Sequence, residues 1–240
     1  MELETKYPEF MPMGDQCVIV RFGTSISEEV NQRVINFAAQ VVEFSITGII
    51  EVVPAYAELA VYYNALITDY KAVLAQLKKL SDKTVSIDNG ERRVIRVPVC
   101  YGDHFGPDLE YVAGCNQKTI QAVINEHTSR IYPVYMLGFT PGFCYLGNLS
   151  NEIACPRKKE PRLVIPAGSV GIAGEQTGIY PLEMPGGWQL IGRTPLALFS
   201  ADREPNVLIR AGDAIQFYAI SADEFNCLQN SFENEGIADA

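Results

Sequence analysis

The spacing of apolar residues switches period several times along the first hundred positions, and each switch predicts an element. Residues 17–22 make a short apolar run of strand character, followed by Ser25 and Glu28 at the separation of a capping box. Val30, Val34, Phe37, Ala38 and Val41 then recur at steps of three and four, which makes one face of a helix apolar. Two β-rich runs, at 48–53 and 58–63, flank Pro54 and Ala55 and predict a hairpin. A second helical stripe, Tyr70, Val73, Leu74, Leu77 and Leu80, follows a capping Thr68 or Asp69 and ends at Lys78 and Lys79, where cations suit the helix dipole. After a turn at Asp88, Asn89 and Gly90, residues 94–99 read as another strand. The order is βαββαβ, the split βαβ arrangement with both helices on one sheet face.

Beyond Cys100 the texture changes. One helix is predicted at 119–126, but from Tyr132 onward short apolar runs are separated by Gly and Pro, including Gly138, Pro141, Gly142, Gly147, Pro166, Gly168, Gly171, Gly174 and Gly178. Repeated tight turns between short strands favour a closed β-barrel, because closure removes exposed edges. The last strand spans 214–220, and an acidic tail with a frayed end follows Ser221. The fold class is therefore α+β, with a small N-terminal α/β domain at 1–96 and a β-barrel domain at 97–240.

Composition narrows the function classes. With 240 residues, 48% of them hydrophobic, the chain can bury an ordinary globular core. Residues 1–10 lack a cationic start and an apolar run, and no uncharged stretch approaches about 20 apolar residues, so a soluble cytoplasmic protein without a membrane partner is expected. Six cysteines without any CxxC pair read as reduced packing thiols. Two histidines and no clustered ligands argue against a metal site. A net charge of −10 disfavours nucleic acid, whereas a few local arginines still suit a small anion.

Three stretches carry candidate chemistry. Residues 135–147, YMLGFTPGFCYLG, hold Phe139, Phe143 and Tyr145 around a Pro141-Gly142 corner. In 156–180, PRKKEPRLVIPAGSVGIAGEQTGIY, Arg157 and Arg162 follow stiffening prolines and could face a carboxylate or phosphate, or make only loose surface ion pairs. Gly168, Gly171 and Gly174 are spaced to bring N–H groups to an anion but lack the Lys-Ser/Thr ending of a phosphate loop. Gln176, Thr177 and Tyr180 add groups that orient a polar ligand. In 185–195, PGGWQLIGRTP, Trp188 is a core anchor or a binding ring, and Arg193 stands ready as support. His127 closes a predicted helix, where the dipole favours the imidazolium, so its residue-level reading is a structural role before general base catalysis. No nucleophile elbow is present.

The segments YMLGFTPGFCYLGNL, PAGSVGIAGEQTGIYP and PGGWQLIGRTPLALF, in this order, resemble the signature of the KipI/PxpB family, also called allophanate hydrolase subunit 1. The likeness is close over 97–217 and extends to the first domain in outline. It implies that the barrel is cyclophilin-like. It also implies a complex with a PxpC/KipA-type homologous subunit and a PxpA-type subunit, in which 5-oxoproline is opened to glutamate at the expense of ATP, with ATP bound mainly on the partner. As alternatives it implies an inhibitor of histidine kinase autophosphorylation, or a subunit of an allophanate or urea amidolyase system. By position, Arg157, Arg162 and His127 are its expected catalytic residues, and Phe139, Pro141, Phe143, Gln176, Thr177, Tyr180, Trp188 and Arg193 its expected cleft lining.

Overall fold

The computed structural model describes residues 7–82 and 92–235, the side chains of the last four apart. The chain divides into two compact units, Met1–Glu91 and Arg92–Ala240.

In the first unit, β1 (Glu9–Pro12), β2 (Cys17–Arg21), β3 (Ile49–Pro54) and β4 (Glu58–Tyr63) form one antiparallel sheet in the order β1-β2-β4-β3. Period-two burial along β2 and β4 turns Val18, Val20, Leu59 and Val61 into the core. Both helices cover that face, α1 (Glu28–Glu43) through Val34, Phe37 and Val41 and α2 (Tyr70–Ser81) through Val73, Leu77 and Leu80. Ser27, not Ser25, caps α1 by accepting from the Val30 N–H at 3.2 Å, and Asp69 caps α2 by accepting from Ala72 at 2.9 Å. Asn31 takes the buried place expected for Val30, because its amide donates to the carbonyls of Ala55 and Tyr56 that bracket the hairpin turn.

The predicted βαββαβ order needs one correction. The fourth strand of this sheet is β1, and the strand expected to close it, β5 (Val94–Tyr101), pairs in the barrel instead. β1 is short, ends in proline and is only partly buried, so its sequence signal is weak. The expected turn at Asp88-Asn89-Gly90 lies outside the described residues.

The second unit is a closed seven-stranded barrel. β6 (Ile131–Leu137), β7 (Cys144–Leu146), β9 (Ser169–Ala173), β10 (Gln176–Ile179), β12 (Gln189–Arg193) and β13 (Ala214–Ala219) join β5 in the cyclic order β10-β7-β6-β13-β5-β12-β9. Only β13 and β5 run parallel. Ile95, Val97, Val99, Val134, Leu146, Ile172 and Phe217 fill the interior. A separate ribbon pairs β8 (Arg162–Ile165) with β11 (Met184–Gly186). Three helices flank the strands: α3 (Leu109–Cys115), α4 (Ile120–Thr128) and α5 (Ala222–Glu235). α4 matches the expectation, capped by Thr119. The acidic stretch after Ser221 forms α5, whose Phe225 is buried against Phe105; the chain end, expected to fray, lies outside the described residues. Among the described residues no helix is long and apolar enough to cross a membrane.

Candidate functional site

The β6–β7 hairpin carries the first motif. Phe143 donates its N–H to the Thr140 carbonyl and Gly138 to that of Phe143, both at 3.1 Å, so the loop closes tightly. Gly142, at φ 82°, packs where a Cβ would come within 3.1 Å of Phe199 and 3.3 Å of Pro181. Phe139 also adopts a left-handed φ of 71° and stays 71% exposed, beside an exposed Pro141. Phe143 turns inward and meets Trp188 edge-on at 5.6 Å and Tyr180 at 5.2 Å. Tyr180, Trp188 and Phe143 are all nearly buried, so these expected lining residues form the wall's foundation, and Phe139 forms its surface. Arg157 holds its guanidinium 5.9 Å from the Trp188 ring and is exposed.

Arg162 faces a carboxylate, but that carboxylate belongs to the protein. Its two terminal nitrogens donate to Asp108 Oδ2 and Oδ1 at 2.8 and 2.7 Å. Asp108 is buried and also accepts from the Leu190 N–H at 2.7 Å and from Lys158 Nζ at 3.3 Å. Burial opposes its ionisation, yet the Arg162 fork, the Leu190 amide and Lys158 outweigh that and hold its carboxyl below the ordinary range. Both sequence readings of Arg162, a ligand clamp or a loose surface pair, give way to a structural fork between α3 and β8. Asp108 escaped the sequence reading; its position just before α3 resembles a helix cap, although its side chain makes no capping bond.

His127 and Thr177, expected at the cleft, are sealed inside the barrel with zero exposure. Thr177 Oγ1 lies 3.0 Å from both the Gly171 carbonyl and His127 Nε2. A carbonyl can only accept, so the single hydroxyl proton goes to Gly171 and His127 donates from Nε2. His127 Nδ1 must then accept from the Tyr101 hydroxyl at 2.8 Å. Burial drives the imidazole pKa down to about 3, and its ring stacks on Phe217 at 4.4 Å. A neutral, fully partnered histidine replaces the dipole-favoured imidazolium, because desolvation exceeds what a helix terminus offers.

Arg193 lies apart from the aromatic wall. Its Nε donates to the Ala167 carbonyl at 2.7 Å and its guanidinium stands 5.9 Å from the Phe225 ring. It lines a hollow of about 310 Å³ with Thr194, Leu196, Phe199, Pro181, Phe225 and other residues. None of Phe139, Phe143, Trp188, Arg157, Arg162, His127 or Gln176 lines that hollow. The wall and the hollow are neighbours through Gly142 and the 180–182 segment. Gln176 sits half-buried at the start of β10. The glycines do not cradle an anion: Gly168 donates to Tyr180 and Gly174 to Cys155, each at 2.7 Å.

An α+β chain with this closed barrel belongs to a known class. Residues 8–209 match the family described as carboxyltransferase domain, subdomain C and D. The chain is 45% identical over 224 residues to the B-type subunit of 5-oxoprolinase from Bacillus subtilis (strain 168), covering 89% of this chain and 93% of that protein. It is 39% identical to the corresponding 5-oxoprolinase subunit of Haemophilus influenzae, covering 86% of this chain and 95% of that one. The crystal structure of TTHA0988 superposes with a TM-score of 0.77 at 36% identity, over 87% of this chain and 40% of that longer chain. The chain therefore belongs to the carboxyltransferase subdomain C and D family and, within it, to the KipI/PxpB group whose motifs it carries.

Proposed function

We propose that this chain is the B-type subunit of an ATP-dependent 5-oxoprolinase, acting in the cytoplasm with a PxpC/KipA-type and a PxpA-type subunit to open 5-oxo-L-proline to L-glutamate. The carrying observation is 45% identity with a B-type 5-oxoprolinase subunit across 93% of its length. Dependence on partners fits the geometry: the wall presents an exposed Phe139, Pro141 and Arg157, and no metal-ligating cluster is found among the described residues.

Amide resonance makes the lactam nitrogen a poor leaving group, and ATP, when bound by the complex, supplies the activation of the carbonyl. The groups of this chain that the sequence offered for a triphosphate do not fit one, since the N–H groups of Gly168 and Gly174 and the Arg162 fork are already engaged within the protein. No step of ATP chemistry is assigned to them. The part of this chain is to bind and orient the substrate and to keep water from it, with exposed Arg157 and the Arg193 hollow as the available cationic groups.

Co-purification with the two partner subunits tests the reading. The mixture should release glutamate from 5-oxoproline only when ATP is present and only when this chain is included. A mixture that stays inert, while another B-type subunit restores activity to the same partners, refutes it.

A further inference from the structure

We propose that the hollow beneath α5 binds a small carboxylate through Arg193, and that in 5-oxoprolinase this carboxylate is the substrate's own. The second half of this statement rests on the proposed function; the first stands on the geometry alone.

Arg193 is partly buried and has only its Nε engaged, by the Ala167 carbonyl. No described carboxylate lies within ion-pair distance of it, and neither terminal nitrogen donates to a described protein acceptor. Other half-buried cations of this unit do have partners: Arg162 and Lys158 hold Asp108, and Lys118 holds Glu152. A desolvated cation without a counter-ion is unfavourable by itself, and a guanidinium keeps its charge under such conditions. Desolvation does lower the Arg193 pKa, the direction expected when a cation lacks a compensating anion.

The surroundings define the anion further. The Ala167 carbonyl takes the Nε proton and the Phe225 ring lies 5.9 Å from the guanidinium, so the two terminal nitrogens of this hollow-lining residue remain for a ligand, and a carboxylate matches their fork. Pro181, Leu182, Leu196 and Phe199 give the hollow an apolar side that suits a compact carbon skeleton, and Thr194 and Gln229 add polar groups to the lining. Thr194 Oγ1 accepts from the Leu196 N–H at 3.2 Å, which leaves its hydroxyl proton to donate to an acceptor. A volume of about 310 Å³ is at the lower end of ligand pockets, about 300–1,000 Å³, and favours a small acid over a nucleotide. Gly168, at φ 81°, permits this arrangement: a Cβ there would collide with the Thr194 carbonyl.

The decisive experiment uses the assembled complex and two variants, with calorimetric titration of the full chain beside it. Arg193→Met removes the anchor, and Gln229→Glu places a competing carboxylate on the hollow's α5 wall with little change of shape. Each should raise KM for 5-oxoproline about tenfold or more, leave KM for ATP unchanged, and retain the melting temperature within a few degrees. In titrations the wild-type chain should bind 5-oxoproline about tenfold or more tightly than the neutral lactam 2-pyrrolidinone. Unchanged KM in both variants of an active complex overturns the site and leaves the proposed function standing. A complex inert toward 5-oxoproline, with a chain that still binds small carboxylates in an Arg193-dependent way, supports the site and removes the proposed reaction.

Discussion

Arg162 and Asp108, 54 residues apart in sequence, form a two-point fork with N···O distances of 2.8 and 2.7 Å that ties β8 to the start of α3. The fork is part of a small network, since Leu190 and Lys158 share the same carboxylate. Its partners come from three separate segments of the barrel unit, so it fixes tertiary placement and not only local shape.

Arg162→Ala should destabilise the barrel unit by about 2–4 kcal/mol, because it leaves a mostly buried carboxylate with only Lys158 and one amide. Asp108→Asn should cost a similar amount, and the double variant should cost much less than the sum, as expected of one shared interaction. The pH dependence follows from the sign of the shift. Asp108 is depressed in the folded state, so its stabilisation is complete above the unfolded carboxylate value, about 4, and is lost as pH falls through the lower folded value. Urea unfolding from pH 6 to 3 should show an acid slope that is reduced in Asp108→Asn.

His127 should remain neutral from pH 8 down to below 5. Its folded pKa of about 3 is below the unfolded value near 6.5, so the unfolded chain takes up the proton first. Stability is therefore full above that unfolded value and declines as pH falls, by up to about 1.4 kcal/mol per pH unit. Ring resonances followed by NMR that titrate near 6.5 in the folded protein would contradict the sealed geometry. Thr177→Val, which strands the Nε2 proton, should cost about 1–3 kcal/mol, and Thr177→Ser should restore most of it.

Two phenylalanines four residues apart should behave oppositely. Phe143→Ala empties the centre of the aromatic cluster and should cost about 3–5 kcal/mol in chemical denaturation. Phe139→Ala removes a ring that is 71% exposed and should stay within about 0.5 kcal/mol of the parent.

Native-state alkylation should modify Cys115 and Cys227, which are exposed, and spare Cys17, Cys100, Cys144 and Cys155. Burial pushes the Cys144 thiol up to about 12, and Cys155 likewise, which further protects both. Mass spectrometry should count two adducts before unfolding and six after it. Early labelling of Cys144 would show that the barrel opens.

How much of the site was legible varies residue by residue. The Phe139–Phe143 corner and Trp188 stood out in the sequence because Pro-Gly turns and isolated aromatic residues are local signals. Phe143 and Trp188 do meet. Arg162 was equally visible, but its partner was not, since nothing in the sequence near Asp108 distinguishes a distant ion pair from a helix cap. A structural His127 was legible from its helix, but its partners were not, since Tyr101, Tyr132, Thr177 and Phe217 come to it from four different strands.

The same distinction holds for the fold. Periodicity by itself determined the stripes of α1 and α2, the β3–β4 hairpin and the turn-rich character of the barrel half, since these depend on residues within a few positions of each other. Tertiary structure alone decided that β5 leaves the first sheet to run parallel with β13, that β1 completes that sheet, and that Thr177 and His127 meet across 50 residues. A strand's alternation records which face is buried but not against which neighbour, and a polar side chain's role depends on whether folding brings a partner or water to it.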